Sequence, residues 1–159
     1  MSTSTMTTTA WQRTTHRQRA LRSVLRRIEA DPAALGEIVS EACRSDFGSL
    51  DDLLLAAHQH WMRTHDARVD SLLEQGAHGD QAAFDAAWTE TARLLDGVAR
   101  LLDHFAEHPA VVRGHARHAR RIKAMCGVDL PSTFRPAPAR RHRARRRGRR
   151  CRLPQVRVA

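Results

Sequence analysis

The feature that most constrains this chain is an apolar period of 3.6 residues that returns in segment after segment between residues 15 and 126. Leu21, Val24, Leu25 and Ile28 fall at i, i+3, i+4 and i+7, which is one face of a helix. Leu35, Ile38, Val39 and Ala42 repeat the pattern. Leu50, Leu53, Leu54, Ala57, Trp61 and Leu72 extend it over a much longer segment, and Phe84, Trp88, Leu95, Val98, Leu102 and Phe105 over another. A final stripe carries Val111, His115, Ile122 and Met125. No run alternates with period two, so no strand is expected.

Punctuation between the stripes sets the helix ends. Asp31-Pro32 supplies a cap followed by proline at the first helical position. Phe47-Gly48 breaks the second helix, and Ser49 caps the third with Asp52 three residues on. Gly76 stops the third helix, Asp80 caps the fourth, Pro109 starts the fifth and Gly127 ends it. Five helices are therefore predicted, at about 15–30, 32–44, 50–75, 80–107 and 110–126. The short connection 75–80 makes the third and fourth helices return antiparallel. The expected architecture is an all-α, five-helix, mostly antiparallel bundle built on that long hairpin. It occupies residues 13–130, between a disordered N-terminus (1–12) and an Arg/Pro-rich disordered tail (131–159).

Charge divides the chain in two. Residues 134–159 hold eleven arginines and no acidic residue, whereas the remainder carries 16 basic and 17 acidic residues. The net +10 is thus a property of the tail. Arg141, Arg145, Arg146, Arg147, Arg149 and Arg150 form its densest run, and Arg113, Arg117 and Arg120 add a basic outer face to the fifth helix. Together they are the candidate polyanion contacts, which would be sequence-independent and salt-sensitive. Arginine near a helix C-terminus also complements the helix dipole. With no tyrosine, and with Trp61 and Trp88 on apolar stripes, base stacking finds few partners.

A second origin for the tail stays open. The chain has one lysine (Lys123), three isoleucines and no asparagine or tyrosine, the mark of a GC-rich coding sequence. A shifted reading frame in such a sequence also yields Arg, Ala, Pro and Gly, so 134–159 reads either as a genuine arm or as a frame artefact.

Other chemistry is sparse. Cys43, Cys126 and Cys151 are widely spaced and form no CxxC pair, which points to reduced thiols. No apolar run approaches the roughly 20 residues of a membrane span. The first residues lack the apolar core of a secretory signal; the Ser/Thr/Arg-rich, acid-free 1–28 fits a basic first helix or a transit peptide. A cytoplasmic location and no membrane contact are expected. No phosphate loop, nucleophile elbow, HExxH or Glu-x-x-His pair is present, so no cofactor and no catalysis are expected.

Ten histidines are many for this length. His58 and His65 flank the stripe of the third helix, His115 sits within the stripe of the fifth, and His118 follows one turn on. Helical bundles build metal sites from inward residues of facing helices. His65, His115 and His118 are the candidate ligands, the alternative being hydrogen-bonded core or flank histidines.

The run Phe47-Gly48-Ser49-Leu50-Asp51-Asp52-Leu53-Leu54-Leu55-Ala56-Ala57 resembles the start of the helix that follows the DNA-binding unit of TetR-type repressors. That resemblance implies an all-helical chain that dimerises through long helices and binds ligands there. The preceding 40–46 does not carry that family's recognition-helix pattern, so no DNA-reading residue carries over. Three functions remain: a non-catalytic interaction module forming a homodimer through its long helices, a nucleic-acid-associated protein acting through its arginines, and a metal- or ligand-binding bundle using histidines.

Overall fold

The computed structural model describes residues 3–135, with side chains from Gln12 onward. Six α-helices, with one 3-10 turn and one π turn, make an all-α bundle among the described residues. Helix α1 (Thr3–Ala30) starts well before Thr15, the start expected from the sequence. It buries Leu21, Val24, Leu25 and Ile28. Asp31 accepts from the amides of Ala33 and Ala34, as its place before Pro32 requires. Helix α2 (Leu35–Ala42) buries its whole stripe and runs into a π turn, Cys43–Phe47, which brings Phe47 into the core. Ser49 Oγ then accepts from the amide of Asp52 at 3.1 Å and opens α3 (Leu50–Glu74).

Helix α3 is the axis of the bundle. It packs against α4 (Gln81–Leu94), α5 (Asp96–His104) and α6 (Pro109–Cys126). The expected fourth helix is two helices, α4 and α5, so the bundle has six helices among the described residues and not five. Leu95 leaves helical geometry at φ −116° and ψ 48°. The reason lies in α1. The amide of Gly97 donates to Glu29 Oε1 at 3.1 Å, so a carboxylate takes one of the amides that the break exposes. A Cβ on Gly97 would lie 2.8 Å from the Leu25 carbonyl oxygen and 2.9 Å from Glu29 Oε1. Only glycine lets α5 approach α1 this closely. Gly97→Ala is expected to cost about 1–3 kcal/mol by overpacking. A lower urea midpoint with unchanged helicity checks this.

Beyond α6 the chain folds back. Val128 and Phe134 are buried, although 131–135 reads as tail from the sequence. Asp103 accepts from the amides of Phe134 and Arg135 at 2.7 and 2.8 Å, and Trp88 Nε1 donates to the Thr133 carbonyl at 2.9 Å. Gln81 and Asp129 exchange two hydrogen bonds. Residues 136–159 lie outside the described residues, and with them Arg141, Arg145, Arg146, Arg147, Arg149 and Arg150. No described helix is long and apolar enough to cross a membrane.

Candidate metal centre

The inward stripe of α3 carries His58, Trp61, His65 and Val69, and that of α6 carries Gly114, His118 and Ile122. Where the stripes face each other, two histidines meet. His65 and His118 are 0% and 1% exposed, and their ring centres are 5.2 Å apart. Asp66 follows His65 on the flank of α3 and reaches across to α6. Its Oδ1 lies 3.0 Å from His118 Nε2, and its Oδ2 accepts from the guanidinium of Arg121, one turn after His118. One ligand atom from each of His65, Asp66 and His118 can be chosen so that all lie within 4.8 Å of one another.

Hydrogen bonding leaves this cluster incomplete. Neither ring nitrogen of His65 has a partner, and His118 Nδ1 has none. Leaving a buried polar atom unpaired costs about 1–3 kcal/mol. A neutral imidazole has one lone pair to give, so an ion would take one of the two bare His65 nitrogens. Burial, reinforced by the nearby His118, pushes the His65 pKa down to about 4. Burial likewise lowers His118, with Asp66 opposing it. Both rings are therefore neutral at pH 7, the state in which imidazole binds metal.

The donor set fits a borderline divalent ion. Two imidazoles and a carboxylate bind zinc at about 2.0–2.2 Å, and three protein ligands leave one tetrahedral position open. Ligand atoms in such a shell sit about 3.3 Å apart, so the 3.0 Å between Asp66 and His118 would widen slightly and the set as a whole, spread within 4.8 Å, would draw in. Binding at His118 Nε2 also requires the tautomer with its proton on Nδ1. Asp66 is partly exposed, which would give an ion an entry route from the surface.

Two further histidines line the same interior. His58 is buried edge-on to His118 and Phe134, with its Nε2 unpaired and its pKa pushed down to about 4, chiefly by burial. Gly114 seats it: a Cβ there would lie 3.0 Å from His58 Cε1 and Nδ1. His115 is half-buried between Trp88 and Phe134, with ring centres 5.7 and 5.2 Å away. Of the three ligands expected from sequence, the fold brings His65 and His118 together. His115 is not among the clustered donors. The third donor is Asp66, which with Asp70 reads as a solvated acidic face until Arg121 and His118 are seen to converge on it. Met125, expected inside, is exposed, because the inward stripe of α6 runs through His118 and Cys126 instead.

Arg113, Arg117 and Arg120 are exposed on α6. Cys43 and Cys126 are free thiols. The run 47–57 forms the end of the π turn, the Ser49 cap and the first two turns of α3. No protein-family model, curated protein or solved structure matches this chain.

Proposed function

We propose that this small helical domain binds a divalent transition-metal ion, zinc above all, through His65, Asp66 and His118. One observation carries the reading: a fully buried His65 with two unpartnered nitrogens beside a second buried histidine and a carboxylate. Softer thiolate sites would use cysteine, and calcium or magnesium would call for oxygen donors only. The reading as a homodimerising module has less support. Leu21, Val24, Leu25, Leu53, Leu54, Trp61, Val98 and Leu102, the apolar stripes invoked for it, are buried within one chain.

The test is metal content. The full chain, incubated with zinc and freed of excess, should retain about one ion per chain. Cobalt substitution should give the visible absorption of a tetrahedral N,O site. His65→Ala and His118→Ala should both lose the ion. Substoichiometric metal that neither substitution changes would sink the proposal.

A further inference from the structure

A second groove shares no lining residue with the metal donors. The break at Leu95 opens a groove of about 330 Å³ between α1, α3 and α5. Arg19, Arg22 and Arg26 form one wall. They fall at i, i+3 and i+7, a row about 10 Å long on one helix face. Leu25, Leu95 and Val98 line the floor, and His60 of α3 closes the side.

The positive charge of this wall is not neutralised from within the chain. All 17 acidic residues lie between Glu29 and Asp129, inside the described region, and none pairs with Arg19, Arg22 or Arg26. Their neighbours differ: Arg17 meets Asp52 at 3.5 Å and Arg27 meets Glu41 at 2.5 Å. Glu29 also borders the groove, but its Oε1 is held by the Gly97 amide. Three guanidiniums against one carboxylate leave two net positive charges over an apolar floor. The charge is felt inside the groove, where burial and the nearby Arg63 and Arg22 hold the His60 pKa down.

From this juxtaposition we infer that the groove binds a phosphate monoester with a short apolar body. The dianionic head matches the two uncompensated charges, and paired guanidiniums hold phosphate oxygens in bidentate fashion. The body covers Leu25, Leu95 and Val98. The volume falls at the lower end of ligand pockets, which limits the body to a short alkyl chain or a single ring.

Monomeric octyl phosphate, inorganic phosphate and octanol are the probes, titrated into the full chain at physiological salt and followed through the His60 ring resonances. Eleven clustered arginines attract phosphate whatever its body, so a residue-specific signal is needed. Octyl phosphate should shift His60 saturably, with octanol and inorganic phosphate at least about tenfold weaker. Arg22→Gln/Arg26→Gln, at exposed positions, should weaken octyl phosphate at least about tenfold while preserving the fold. Equal binding of inorganic phosphate would remove the apolar floor from the site and overturn the inference. So would a silent His60, or affinity that the double substitution leaves unchanged.

Discussion

Saturating zinc should raise the thermal midpoint of the full chain by roughly 10 °C, and His118→Ala should abolish the rise. A ligand that binds only the folded state stabilises it by RT ln(1 + [L]/Kd), about 2.7 kcal/mol at a hundredfold excess over Kd. For a domain of this size each kcal/mol moves the midpoint by roughly 3–5 °C. His118 links the site physically: its ring touches that of His65, and its Nε2 faces the carboxylate. Removing it deletes one donor and frees the tether on a second. Loss of fold would mimic loss of metal, so Asp66→Asn is the companion variant. The amide keeps the size of the side chain: its oxygen can accept from Arg121 and its NH2 can donate to His118 Nε2 when that ring carries its proton on Nδ1, but it carries no charge for a cation. The metal-free stability of Asp66→Asn should stay within about 1 kcal/mol of the parent. Its zinc affinity should fall at least about tenfold. If zinc raises the midpoints of parent, His118→Ala and Asp66→Asn equally, the ion is bound elsewhere.

Arg121 shapes the same equilibrium. It shares Asp66 with His118, so the carboxylate is already oriented toward α6 before any cation arrives. A metal ion at Oδ1 would leave Oδ2 to Arg121. That bond would hold the carboxylate as a single-oxygen donor and keep its charge partly balanced, as the outer partners of metal ligands commonly do.

What the sequence makes legible is whatever depends on near neighbours. Asp31-Pro32, Ser49, Asp80 and Pro109 mark helix starts because capping is settled within three residues. The stripes of α1, α2 and α3 identify the core because burial follows the helical period. The break at Leu95 escapes such reading: residues 80–107 keep one period throughout, and its partner, Glu29, is 68 positions from Gly97. Asp66 escapes for the same reason, because its value as a donor exists only when α6 lies alongside α3. Phe134 sits among prolines and arginines that dominate the local composition, yet a single aromatic suffices to anchor the segment against Trp61, Trp88 and His115. The histidines fall between these cases. Their helical spacing places them on the inner side of α3 and α6, but which of them meet depends on how the two helices cross.

Acid should unfold the chain between pH 6.5 and 4, before most carboxylates titrate. His58 and His65 have folded pKa values of about 4, against about 6.5 for an unperturbed histidine in the unfolded chain. Between those values the unfolded state binds more protons than the folded one. The stability contributed by keeping these rings neutral is complete above pH 6.5 and is lost as pH falls through 4. Each ring accounts for about 3 kcal/mol over that interval, a large share of the typical 5–15 kcal/mol of a domain. Near pH 5 the two together give a slope of roughly 2 kcal/mol per pH unit. His115 and His118 are lowered in the same direction and steepen the fall. Urea midpoints measured from pH 7.5 to 4.5 should therefore drop continuously below pH 6.5. His58→Gln removes one titrating ring while keeping an amide of similar reach beside Gly114, and should reduce the slope by about 1 kcal/mol per pH unit. Added zinc competes with protons for His65 and His118, so it should shift the acid transition to lower pH in the parent and not in Asp66→Asn. A urea midpoint flat from pH 7 to 5 would mean that the interior histidines are hydrated. The bare nitrogens of His65 would then be solvated, and nothing would call for an ion there.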